Sequence, residues 1–88
     1  MEKLIREIRK IIKENRAQLE ALPAKERAAW VMIWVLTSDV FMENRPESAL
    51  TNKDAALGYI HTVSTLIKRI LKEEGLWVKS FMRCFKKS

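Results

Sequence analysis

Residues 61–72 set His61, Thr62, Ser64 and Thr65 ahead of Lys68, Arg69 and Lys72. In a helix these positions share a few turns. The hydroxyls and imidazole suit exchange of hydrogen bonds with base edges, and the cations suit phosphates. Lys79, Arg83, Lys86 and Lys87 continue the basic series. Catalytic chemistry is poorly provided for. With one His and one Cys, a zinc site would need acidic ligands or a second subunit. A Cys84/His61 nucleophile pair has no third group to orient it. The two glycines stand seventeen residues apart, so no Gly-rich phosphate loop exists. These residues predict neither an enzyme nor a cofactor or metal site.

Charge points the same way. The 88 residues carry a net charge of +6, and it is unevenly spread. Residues 1–27 hold eight Lys and Arg against five acids, residues 28–67 two against four, and residues 68–88 seven against two. Basic charge at both ends fits an anionic partner: nucleic acid, a membrane surface or an acidic protein. It also fits plain solubility. A single Cys84 cannot form an internal disulfide, so the expected compartment is the cytoplasm. The first ten residues alternate charged and aliphatic side chains, which is not the pattern of a secretory leader. The longest apolar run, residues 28–36, is about half of the ~20 residues a membrane span needs.

Few Gly and Pro and many Lys, Glu, Leu, Ile and Ala predict helices throughout a single domain of residues 1–88. Residues 2–22 place Leu4, Ile5, Ile8, Ile11, Ile12, Asn15, Leu19 and Leu22 on one stripe, predicting a single helix of roughly six turns. Its other side carries Arg6, Arg9, Lys10, Lys13 and Arg16, with Glu2, Glu7 and Glu14 placed to pair with some of them. Pro23 fits the first turn of a second helix over residues 24–43. That helix is apolar almost all round, so it must be a central core helix or half core, half oligomer interface. Trp30, Trp34 and Phe41 share one of its faces, and Asp39 is expected to face solvent where the apolar stretch ends. Pro46 marks residues 44–50 as a loop.

A third helix, capped by Thr51 or Asn52, carries Ala56, Leu57, Ile60, Val63, Leu66, Ile67, Ile70 and Leu71. This periodicity crosses Gly58 without slipping, which predicts a continuous helix that stops at Gly75. A last amphipathic element follows over residues 76–85. Its face of Trp77, Val78, Phe81, Met82, Cys84 and Phe85 opposes Lys79, Arg83, Lys86 and Lys87. It suits closure of the core, a partner's groove or an anionic membrane.

Residues 50–78 resemble the helix-turn-helix core of winged-helix repressors and of phage or plasmid replication regulators. The matching residues are Leu50, Thr51, Ala55, Ala56, Leu57 and Gly58, then Thr62, Val63, Ser64, Leu66, Ile67, Lys68 and Arg69, then Glu74, Gly75 and Leu76. The resemblance implies a turn at Gly58 and a recognition helix entering the major groove N-terminus first. His61, Thr62, Ser64 and Thr65 would then reach bases or phosphates, and Lys68, Arg69 and Lys72 would hold the backbone. Lys79, Arg83, Lys86 and Lys87 would add phosphate contacts.

These readings converge on an all-α four-helix bundle packed around the second helix. A helix-turn-helix domain with a long N-terminal helix is the alternative. An 88-residue core is small, so self-association is expected, with Trp30, Trp34, Phe41, Trp77 and Phe81 as interface candidates. The expected function is a small basic binding protein, first of nucleic acid. An adaptor or inhibitor meeting an acidic partner protein comes second. Peripheral membrane association through the basic C-terminal element comes third.

Overall fold

The computed structural model describes residues 2–77. They form an all-α bundle with no strand among them. Helix α1 spans Glu2–Glu14, α2 Arg16–Ala21, α3 Arg27–Leu36, α4 Asp39–Glu43 and α5 Lys53–Glu73; short 3-10 turns occupy Ala24–Glu26 and Glu47–Leu50. The expected four-helix count applies to these residues only as three arms: α1 with α2, α3 with α4, and α5. The fourth helix, expected over residues 76–85, falls from residue 78 onward outside the described residues.

The core follows the predicted stripes. Leu4, Ile8, Ile11, Ile12 and Leu19 from the first arm meet Val31, Val35 and Phe41 from the second. Tyr59, Val63, Ile67, Ile70 and Leu71 from α5, with Leu76, complete it. Burying each such aliphatic side chain contributes about 1.5–3 kcal/mol before the entropic cost of ordering the chain. Helices α1, α3 and α5 all pack on one another. The first and last of these end side by side: Arg9 in the later part of α1 bonds to Glu73 at the end of α5, and Arg16, just beyond α1, bonds to Glu74, just beyond α5. So α1 and α5 run parallel. α3 runs against both, since Arg27 at its start meets the Leu76 carbonyl beyond the end of α5.

Two predicted helices are each divided. In the first, Asn15 leaves helical geometry at φ −112°, ψ 20°. Its side-chain amide donates to the Ile11 carbonyl at 2.8 Å, competing with the backbone for that acceptor. The second divides at Thr37 and Ser38. The Thr37 hydroxyl donates to Trp34 O and the Ser38 hydroxyl to Val35 O, both at 2.8 Å, which closes α3. Ser38 Oγ then accepts from Phe41 N at 3.2 Å and caps α4. The Ser38 cap with Asp39 behind it is a helix-start signal embedded in an apparently continuous apolar run.

This break corrects the reading of the aromatic stripe. Trp30 and Trp34 do pair, with ring centroids 6.2 Å apart. Phe41, carried on a different helix, turns inward against Tyr59 at 4.9 Å. Of the two alternatives for the second helix, a central core helix covered on all sides is not what α3 shows; it is half core, with its other side exposed. Only Val31 and Val35 of α3 are buried, because one side of this helix has no neighbour among the described residues. The 44–50 segment is more ordered than a bare loop, since Pro46 O accepts from Ala49 N to start the turn at Glu47–Leu50.

Helix α5 matches its prediction closely. Asn52 Oδ1 accepts from Asp54 N and Ala55 N at 2.9 and 3.3 Å. The helix passes through Gly58 and ends where Gly75 adopts φ +74°. Leu76 N reaches back to Leu71 O and Gly75 N to Lys72 O, the paired bonds of a Schellman termination.

Candidate nucleic-acid interface

The predicted contact residues of α5 lie on its outer side. His61, Thr62, Thr65, Lys68, Arg69 and Lys72 are exposed, and Ser64 is half-buried at the edge. His61, Thr65, Lys68 and Lys72 follow one another at three- and four-residue steps, so they form a single ridge. Lys79, Arg83, Lys86 and Lys87 lie outside the described residues.

Continuity of α5 changes what its polar residues offer. The turn at Gly58 implied by the helix-turn-helix resemblance is not present, because the helical periodicity runs unbroken from Lys53 to Glu73. Positions 61–65 therefore sit inside a long helix and not at the N-terminus of a recognition helix. The Thr62 hydroxyl donates to Gly58 O at 2.9 Å and the Thr65 hydroxyl to His61 O at 3.0 Å. Both donors are thus engaged within the helix. What this face presents most strongly is positive charge.

Parallel packing of α1 beside α5 enlarges it. A groove between them is lined by Arg6, Arg9 and Arg69 over a floor of Ile5, Leu66 and Ile70, with Glu2 and Glu73 also on its wall. The two basic blocks, far apart in sequence, meet here. Arg9 is engaged with Glu73 at 3.0 Å, and Arg16 holds both the carboxylate and the carbonyl of Glu74 at 3.1 and 2.9 Å. Among the described residues, Arg6, Lys68 and Arg69 make no ion pair, so their charge is available to a ligand. Lys72 Nζ sits 5.9 Å from the centre of the Trp77 ring, a cation–π contact that leaves its charge at the surface. Instead of pairing with Glu2, Glu7 or Glu14, Arg9 pairs with Glu73 at the end of α5, and Arg16 pairs with Glu74 and, within α2, with Glu20. Sequence periodicity cannot show which helix will lie alongside.

The interface candidates separate into different roles. Phe41 is core, and Trp34 and Trp77 are half-buried against the core. Trp30 is 40% exposed, with Ile33 at 48% and Leu36 at 39% beside it on the outer face of α3. Phe81 lies outside the described residues.

Two residues absent from the predicted sites organise the bundle. Arg27 donates through Nε to Leu19 O at 2.7 Å and through Nη1 to Leu76 O at 3.0 Å, tying the ends of three elements together. Tyr59 donates its hydroxyl to Phe41 O at 2.7 Å inside the core. Its place four residues before Val63 is the sequence signal for its burial.

Among the described residues, no group of three His, Cys, Asp or Glu side chains converges on a point that would hold a metal ion, and no helix is long and apolar enough to cross a membrane. Compared with known protein families, characterised proteins and solved structures, the chain matches none.

Proposed function

We propose that this is a non-enzymatic, cytoplasmic nucleic-acid-binding protein that grips the phosphate backbone along the α1–α5 face. The observation carrying this reading is the meeting of Arg6 and Arg69 across the α1–α5 groove, continuous with exposed Lys68 and Lys72. Three to four cations along one face match the repeating charge of a backbone, and each phosphate contact releases counterions on binding. With the Thr62 and Thr65 donors engaged inside α5, affinity would come mainly from phosphates and less from base edges. Regulation would follow from occupancy, with Lys79, Arg83, Lys86 and Lys87 adding further phosphate contacts.

The test is titration of a labelled duplex and a labelled single strand across a salt series. Affinity should fall steeply with salt, and Lys68→Ala and Arg69→Ala should each lower the log–log salt slope by about one unit. Undetectable binding at low salt, where attraction is greatest, would overturn the reading. An adaptor or inhibitor that meets an acidic protein is the second reading, favoured by the exposed apolar side chains Trp30, Ile33 and Leu36 on the outer face of α3, which a partner protein could bury.

A further inference from the structure

The groove between α1 and α5 is poorly built as a socket for phosphate. Its floor is Ile5, Leu66 and Ile70, and its walls set Arg6, Arg9 and Arg69 against Glu2 and Glu73. Arg9 is already paired with Glu73 at 3.0 Å. A phosphate pressed into this groove would give up water for aliphatic carbon and lie beside two carboxylates. A nucleobase suits it better. It is uncharged, its flat faces stack on guanidinium planes and aliphatic surface, and its N–H groups donate to carboxylates. We propose that the groove takes one base of a single-stranded nucleic acid, while the phosphates beside that base lie along Lys68 and Lys72 on the outer ridge of α5. This rests on the nucleic-acid reading above and narrows its ligand to an unpaired strand.

Width and size select this occupant. α1 and α5 lie side by side, and two packed helices, each about 10–12 Å across, present a face wider than the roughly 12 Å of a duplex major groove. A face that holds Arg6 and Arg69 together therefore meets a duplex only at its outer phosphates. The paired bases stay stacked away from Ile5 and Leu66, and the apolar floor goes unused. An unpaired strand turns a base outward at a lower cost, so it uses the floor and the cations at once. The groove encloses about 290 Å³, near the lower end of the ~300–1,000 Å³ of small-ligand sites, so it admits one base and not a stacked run. Since every base has a flat face, sequence preference is expected to be slight.

The test titrates the full-length chain against three labelled oligonucleotides of equal length at matched salt: a mixed-sequence single strand, the same strand annealed to its complement, and an abasic single strand that keeps the phosphates and lacks the bases. The base-bearing strand should bind at least about fivefold more tightly than the abasic strand, and more tightly than the duplex. Ile5→Gln and Leu66→Gln make the half-buried floor polar without changing the charge. Each should bring the ratio of base-bearing to abasic affinity to unity and leave the abasic affinity as in wild type. Circular dichroism checks that these variants fold. If neither does, photo-cross-linking of wild type to a strand carrying 4-thiothymine takes their place, with adducts expected in residues 2–9 or 66–73. Equal affinity for base-bearing and abasic strands, both falling steeply with salt, would overturn the base slot and leave the phosphate grip standing. Tighter binding of the duplex, an undiminished ratio in a folded floor variant, or adducts confined to other peptides would overturn it too. No binding of any of the three at low salt would remove the nucleic-acid reading itself, and the slot with it.

Discussion

Tyr59 donates its hydroxyl to the backbone carbonyl of Phe41 at 2.7 Å while its ring lies 4.9 Å from the Phe41 ring. One side chain thereby joins α5 to α4 by both a polar and an aromatic contact. The carbonyl that Tyr59 satisfies belongs to a short helix with little hydrogen bonding of its own. Tyr59→Phe keeps the ring and removes the bond. It should cost about 1 kcal/mol, read as a lower urea midpoint at unchanged slope.

The same residue gives a pH signature. Burial raises the Tyr59 pKa above its ordinary value of 10.0, opposed by the nearby positive charge of Arg45. The folded state therefore favours the neutral phenol more than the unfolded chain does. Its contribution is complete below about pH 10 and is lost as the pH rises through the higher folded value. Urea midpoints of wild type and Tyr59→Phe, measured from pH 8 to 11, should converge at the alkaline end. A constant gap would show that Tyr59 titrates as it does in the unfolded chain.

Arg27 ties together the ends of several elements. It bonds to Leu19 O and Leu76 O, with a longer contact of 3.4 Å to Glu20 O. Arg27→Ala leaves these helix-end carbonyls without their cation and should cost about 2 kcal/mol in chemical denaturation. Arg27→Lys should recover only part, because an ammonium cannot reproduce the planar fork. Full recovery by Lys would reduce the role of Arg27 to charge alone.

Gly58 separates two accounts of residues 50–78. It sits inside α5 with negative φ, and an added Cβ would meet nothing within 4 Å. Gly58→Ala should therefore stabilise the protein by up to about 1 kcal/mol, raising Tm by roughly 4–8 °C. A glycine required by a helix-turn-helix turn would give the opposite sign.

What could be read from the chain was mostly local. The α1 stripe, the Asn52 cap, the run through Gly58 and the stop at Gly75 each follow from periodicity or a cap residue within a few positions. Asn15 and Ser38 were harder to read, because each is one polar residue whose side chain competes for backbone bonds within a pattern that stays helical on either side. The exposure of Trp30, Ile33 and Leu36 was hidden for a different reason: an apolar run says that a surface needs cover, not that its neighbours supply it. The candidate site was legible only in half. Lys68, Arg69 and Lys72 stand out on α5, but their junction with Arg6 and Arg9 depends on which helices lie side by side.

That neighbour relation also governs how the protein is made. Arg9 and Glu73 are separated by 64 positions, and Leu4, Ile8 and Ile12 share their core with Ile67, Ile70 and Leu71. At about 5–20 residues per second, a ribosome presents the apolar stripe of α1 for several seconds before its last partners exist. Nascent chains stopped short of Leu71 should bind holdase chaperones and be cut quickly by proteases. Closure of the core thus waits on the synthesis of α5.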